Sequence, residues 1–506
     1  MPAVAKLTGR VFDAATGEGL EARVQVVGPN GTTLAPADAM WKVGPGEPFF
    51  YSDGQFSLDV PRGLVRVVVE RGTEFVPWRH DVEATKSGAI ALDVPLERWS
   101  DLPERGWHPG NTHIHYDEKE KDPDRRLRYD SRVEGLRMTA VSILKRWDLL
   151  YATNKYPPGV MNEYTDTHHY VQCGEETRHN AGGPFSPGYG HVMLLNIRNA
   201  VEPLSRGLLV DAFDPDYPPL SYACDDARRQ GGIVIWCHNG QGMEAPVAAA
   251  LGKVDAMNLF DPYWNDTEYD LWYAMLNCGI RLPASTGSDW FVCSANRVYA
   301  HGGTRFEYEP WLKAVRDGRT FITNGPALYM TVNEVGPGST VAAKPGDEVD
   351  VELEWQSHYA VDRVEIVLNG RVVAARALAQ VSAGHDAARL RARPRARSRT
   401  EESGPHAGSA RFAVPVRSDG WIAARLAGSA RDSFNQAIWA HTSPVYVTIG
   451  RGSGPERRAS ARFFVARLDE AMGWANTGAK FYTDAQRKEV QDLFRAGREY
   501  YRKLSR

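Results

Sequence analysis

The sequence predicts an α/β domain set between two β-rich regions and closed by a helical tail. Three observations predict it. Short runs of period two fill residues 1 to about 100 and return from Tyr329 onward. Strand-like runs alternate with helical ones between residues 104 and 330. The stretch from Phe463 to Arg506 carries a helical pattern. The chain divides accordingly into an N-terminal β-sandwich accessory domain (1–103), an α/β domain (104–330), a C-terminal β-sandwich-like domain (331–460) and a helical segment (461–506).

Bulk properties agree with this division. At 506 residues the chain is too long for one ordinary core. A hydrophobic content of 42% with 24% charged residues describes a globular protein. The net charge of -3 leaves no footprint for nucleic acid or an anionic membrane, so neither is expected as a partner. No apolar run approaches the roughly 20 residues that cross a bilayer. Met1 to Leu7 lacks an apolar signal core, which predicts a cytoplasmic protein. The five cysteines, Cys173, Cys224, Cys237, Cys278 and Cys293, form no C-x-x-C pair and suit a reducing compartment. The two sandwiches and the terminal helix offer surfaces for a homo-oligomer.

The elements follow in order. Gly9 to Asp13, Ala22 to Val27, Gln55 to Val60, Val65 to Glu70 and Ala89 to Leu96 read as strands, with Asn30-Gly31 marking a hairpin. Val133 to Leu150 combines a helical start with an apolar run. Ala223 to Gln230 is helical and feeds the buried strand Ile233-Val234-Ile235-Trp236. Asp266 to Cys278 is helical and stops at Gly279. This alternation argues for a mainly parallel sheet, with ligands at the carboxyl ends of its strands. Beyond Tyr329, strands are expected at Val349 to Trp355, Val361 to Leu368, Trp421 to Leu426, Ala437 to Ala440 and Val445 to Ile449. Arg391 to Ala410 reads as an exposed basic loop. Thr483-Asp484-Ala485-Gln486 starts a helix with Val490, Leu493, Phe494 and Tyr501 on one face.

Nine of the fourteen histidines lie between His108 and His301, which makes that segment the chemical one. His113 and His115 end a short strand, and period two turns both imidazoles to one side. Three further ligand-rich stretches follow: Gly174-Glu175-Glu176 with Gly190-His191, then Trp236-Cys237-His238-Asn239, then Gly287-Ser288-Asp289. Imidazole with carboxylate suits zinc, manganese or iron. The candidate ligands are His113, His115, Glu175, His191, His238 and Asp289. Arg178, His179 and Asn180 lie just after Glu175 and either support the site or only fix their own turn. Asn239 and Arg297 either orient a loop or contact substrate. Trp236, Tyr189 and Trp264 read as packing, His168-His169 as surface, and Asp117, Glu118 and Glu120 as a solvated acidic loop.

The order H-x-H, G-E, G-H-V-M-L, a strand ending in histidine, and G-S-D resembles the PHP superfamily of metal-dependent hydrolases and phosphoesterases. The wording of Trp107 to His115, Gly188 to His191, Trp236 to Gly240, Gly287 to Trp290 and Gly318 to Pro326 is similar to its CehA/McbA-like metallohydrolase branch. The resemblance covers residues 104–330 and implies a distorted (β/α)7 barrel. It also implies that His113, His115, Glu175 and Asp289 hold one divalent ion, and that Glu175, His191 and His238 hold a second, Glu175 bridging. Zinc is the first expectation, with manganese or iron as alternatives.

The chain departs from the fuller family pattern where a third ion would bind. Lys121, the stretch Ser142 to Trp147, and Phe291 stand where histidines are expected. One or two ions are therefore implied. Trp290 and Phe291 are expected to wall an apolar pocket, which suits a small, partly apolar substrate. The activity implied is hydrolysis of an ester, amide or carbamate by metal-bound hydroxide, with Asp289 or His179 carrying the proton to the leaving group. Phosphoester hydrolysis, or a binding scaffold with a vestigial site, are the alternatives.

Overall fold

The computed structural model describes residues 4–85, 89–100, 102–180, 187–238, 242–260, 269–378, 406–450 and 454–506. Among them are seven α-helices and a mixed set of sheets, which makes this an α/β protein.

The N-terminal region is two sheets face to face. Val4–Asp13 lies between Gln55–Pro61 and Ala89–Leu96. The opposing sheet is built on Ala22–Val27, Gly63–Glu70 and Trp78–Ala84. Gln55–Pro61 alternates strictly, sending Phe56, Leu58 and Val60 inward to meet Val24, Val67 and Phe50. This unit is tied to the next through Arg23, whose guanidinium lies 3.3 Å from both Glu70 and Glu134.

The central sheet starts from Trp107–His115. Met138–Ile143 pairs parallel to it, and Tyr170–Asn180 parallel to that. The direction then reverses twice. Pro187–Leu195 runs antiparallel to Tyr170–Asn180, and Ile233–Trp236 antiparallel to Pro187–Leu195. Ala256–Asn258 and Ala284–Ser285 continue parallel. On the other side of Trp107–His115, Arg297–His301 and Thr320–Thr323 add antiparallel strands. The sheet is therefore mixed, not mainly parallel as its sequence suggests. Tyr170–Asn180 and Pro187–Leu195 are joined by too short a stretch to hold a crossover helix, so they pair as a hairpin. The sheet curls until the Thr320 hydroxyl donates to the Ala284 carbonyl at 2.9 Å. Its inner strands Met138–Ile143 and Ile233–Trp236 are buried on both faces, which explains the unbroken apolar run of the second.

The first helix is Pro123–Val133, capped by Asp122, whose carboxylate accepts from the Arg125 amide. The helical start expected at Val133 thus falls one helix too late: Val133 ends it and the apolar run is the strand Met138–Ile143.

The C-terminal strands are hydrogen-bonded to the central sheet. Ala437–Thr442 pairs antiparallel with Thr320–Thr323, so the curled sheet runs on into Gly420–Arg431, Arg363–Leu368 and Arg371–Ala377. A three-stranded sheet of Ala327–Val332, Glu348–Ser357 and His406–Pro415 packs over it around Leu328, Val351, Ile366, Ile422 and Leu426. Of the expected loop from Arg391 to Ala410, residues 391–405 lie outside the described residues. His406 to Ala410 belong to a strand, with Ala410 opposite Leu353.

Two long helices, Pro455–Thr477 and Asp484–Leu504, complete the chain. Thr483 caps the second by accepting from the Gln486 amide. Its buried face carries Val490, Phe494, Gly497 and Tyr501. Gly497 lets this helix approach: a Cβ there would lie 3.0 Å from Val247 Cα. The helices back the return strand Pro187–Leu195, with Trp474 and Phe494 set against Tyr189. Among the described residues, no helix is long and apolar enough to cross a membrane. All five cysteines are buried and unpaired as disulfides.

Candidate metal centre

His113 and His115 project to the same side of their strand, as period two requires, with their Nε2 atoms 3.0 Å apart. The carboxylate that joins them is Glu176. Its Oε2 lies 3.2 Å from His113 Nε2 and 2.6 Å from His115 Nε2. Its Oε1 lies 3.2 Å from His191 Nδ1 and 3.7 Å from His238 Nε2. Asp289 Oδ1 completes the first group at 3.3 Å from His113 Nε2. Two clusters result, His113–His115–Glu176–Asp289 and Glu176–His191–His238, sharing one carboxylate.

This corrects the expectation for Glu175. On the strand Tyr170–Asn180, Glu175 shares its parity with Val171 and Cys173, which pack in an apolar core. Its Oε2 accepts from the Val201 amide, away from the histidines. Glu176 shares parity with Arg178 and Asn180, and those three residues face the cluster together. That alternation was present in the sequence, since Arg178 and Asn180 were already candidates.

Burial pushes the Glu175 carboxyl up to about 8, opposed by the Val201 amide and Arg206. A carboxyl whose folded value lies above its unfolded one keeps a proton that the unfolded chain has lost. Stability therefore falls as pH rises from about 4.5 to about 8 through this group. Glu175→Gln is expected to remove that loss, so its stability gain over the parent grows from pH 5.5 to pH 8. Urea melts of chelator-treated protein at both pH values check this; a gain independent of pH contradicts it.

The surroundings fix the ligand nitrogens. His115 Nδ1 donates to the Ser142 carbonyl at 3.1 Å, and His191 Nε2 donates to Asn180 Oδ1 at 2.7 Å. Each ring then turns a lone pair into the cluster, as a metal-binding imidazole must. Burial lowers both rings, His191 to about 3 with Arg178 adding to the effect, so both are neutral at pH 7. Glu176 is held ionised: burial opposes this, but Arg178 and His113 outweigh it.

His238 and Asp289 reach the cluster from strand ends by left-handed backbone, φ 48° and 56°. Asp289 follows a loop docked on the His113 strand. A Cβ at Gly287 would sit 2.5 Å from His113 Cβ, so only glycine permits this approach. Asn111 Nδ2 donates to Ser288 Oγ at 2.7 Å and locks the loop.

The donor set fits a metal ion. Glu176 Oε1, His191 Nδ1 and Asp289 Oδ1 are buried without a hydrogen bond, although all three face other donor atoms. Such orphaned groups are costly unless something binds them. The separations bracket the roughly 3.3–3.6 Å edge of a tetrahedron with ligands at about 2.0–2.2 Å. The buried group of His113, His115, Glu176 and Asp289 could hold an ion.

The other expected site residues divide. Asn180 and Arg178 touch the cluster, through His191 and Glu176. His179 does not: its Nε2 donates to Asp216 at 2.7 Å and its Nδ1 accepts from the Tyr189 amide at 2.8 Å. With both nitrogens engaged and no exposure, it cannot shuttle a proton, and it fixes the layer behind the site. Arg297 is held by the Glu134 carbonyl at 2.7 Å, outside the cluster. Trp290 edges His115 and stacks on Tyr151 at 5.7 Å, which places it beside the cluster. Phe291 instead packs on Tyr116 in the core. Asn239 and Trp264 lie outside the described residues. Tyr189 and Trp236 are buried packing; His168 lies on the surface beside Arg137, but His169 is buried, its Nδ1 donating to the Leu136 carbonyl at 2.6 Å. The acidic loop is less solvated than its composition implies. Asp117 is buried, and Glu120 pairs with Arg126.

Sequence reasoning missed Tyr151. Its ring edges His115, and its hydroxyl is buried without a hydrogen bond. It lies beyond a loop with no recognisable motif, so only the fold reveals it.

The site thus defines a candidate metal centre in an α/β protein. No family model and no curated protein matches this chain.

Proposed function

We propose that this protein is a metal-dependent hydrolase of the PHP type, CehA/McbA-like branch, that cleaves an ester, amide or carbamate of a small, partly apolar substrate. The observation that carries the reading is one buried carboxylate, Glu176, shared by two groups of ligands. The order of those ligands along the chain, and their origin at strand ends around a curled sheet, support the resemblance.

His113, His115, Glu176 and Asp289 would hold one ion, and Glu176, His191 and His238 a second, with zinc the first choice. Bound there, such ions polarise a carbonyl and lower the pKa of water. The chain supplies the rest. Arg178, paired with Glu176, and the Tyr151 hydroxyl are the donors placed to meet charge developing on the carbonyl oxygen. Asp289 takes over the proton transfer that His179 cannot perform. Trp290 and Tyr151 form an aromatic wall against His115 and exclude water from that side.

Tyr151→Phe separates these roles. Loss of one such donor is expected to lower kcat about 100-fold. KM and metal content should hold, and stability should hold or rise because a partnerless buried hydroxyl is gone. Steady-state kinetics with urea melts check this, and an unchanged kcat contradicts it. Metal analysis followed by a screen of aryl esters, amides and carbamates against aryl phosphates tests the reading itself. Turnover of phosphates alone would replace it with a phosphoesterase.

A further inference from the structure

We propose a second binding site, for a small multivalent oxyanion of the phosphate or pyrophosphate type, in the cleft formed by Arg281, Arg316 and Arg319. The cleft has a volume of about 390 Å³, and Ser339 and Tyr446 complete its wall. It lies at the opposite end of the sheet from the metal cluster. Arg281 precedes the strand Ala284–Ser285 and Arg319 precedes Thr320–Thr323, whereas Asp289 follows the first of these strands.

The three guanidinium groups are positioned but barely neutralised. Arg281 Nη2 donates to the Thr340 hydroxyl at 2.6 Å, and its guanidinium lies 4.4 Å over the Tyr446 ring. Arg316 Nη2 donates to the Gly231 and Gly232 carbonyls at 3.2 and 2.6 Å. Those partners are uncharged. Among the described residues the one carboxylate lining the cleft is Asp317, 3.3 Å from Arg319 and also accepting from Lys313 Nζ at 2.7 Å. Arg319 Nε is buried with no hydrogen bond. Three guanidinium groups lining one concave surface with one carboxylate suit a planar or tetrahedral oxyanion. The inference is independent of the hydrolase reading.

The test is calorimetric titration of the full chain with inorganic phosphate and with pyrophosphate, at low ionic strength. Because either anion also binds metal centres, the titration is repeated on chelator-treated His113→Ala protein. One-to-one binding that survives there is expected. Arg319→Gln and Arg281→Gln should each weaken it about tenfold with melting temperatures unchanged, and Arg281→Lys should weaken it too because the fork is lost. Binding that disappears in the chelated His113→Ala protein, or that ignores both arginine variants, overturns the site. Absence of binding by either anion does the same.

Discussion

Glu176→Gln is expected to empty both halves of the metal centre, while Glu175→Gln, one residue away, leaves them filled. Glu176 gives one oxygen to the His113–His115–Asp289 group and the other to His191 and His238. An amide carries no charge and offers one acceptor oxygen, so it cannot serve both groups and neutralises neither ion. Hydrolytic activity should fall at least about 100-fold together with bound metal. Glu175 faces Val201 and carries its proton at neutral pH, so glutamine replaces it nearly isosterically. Metal analysis and turnover of the two variants, side by side, check the prediction. Loss of metal in Glu175→Gln with retention in Glu176→Gln would reverse the assignment.

The second large effect concerns stoichiometry. His238→Ala removes a ligand from one group only, and the group of four that holds Asp289 stays intact. About half of the bound metal is expected to be lost, with activity falling at least tenfold. His113→Ala strikes the group of four and should empty that half, leaving the His191–His238 half impaired but not abolished. Titration of each apoprotein with zinc, followed by calorimetry, separates the two outcomes. Complete loss of metal from both variants would mean a single ion held by all the ligands at once.

Much of the site was legible because its ligands sit where strands end, and strands announce themselves by pattern. His113 and His115 are aimed together by period two alone. His238 and Asp289 follow apolar runs, at the carboxyl ends where α/β sheets place ligands. Adjacent glutamates differ only in parity, so the motif alone points to Glu175 where the alternation of the strand points to Glu176. His179 failed for another reason. Asp216 and the Tyr189 amide reach it from distant parts of the chain, and the helix Asp484–Leu504 holds that layer from behind. Tyr151 and the arginine cleft were invisible because each is assembled across segments far apart in sequence. The fold shows the same division. Individual strands and the cap at Thr483 were readable locally, whereas pairing direction was not. Two of the central pairings reverse within the hairpin and its neighbour, and Thr320–Thr323 joins the central sheet to the C-terminal strands through Ala437–Thr442.

The central claim is a two-ion centre bridged by Glu176. Elemental analysis of protein purified without chelator or added metal tests it most directly. The account predicts about two equivalents of zinc or manganese per chain, falling to near none in Glu176→Gln. Absence of metal from the parent protein even after reconstitution would contradict it, and the cluster would then be a vestigial site on a binding scaffold.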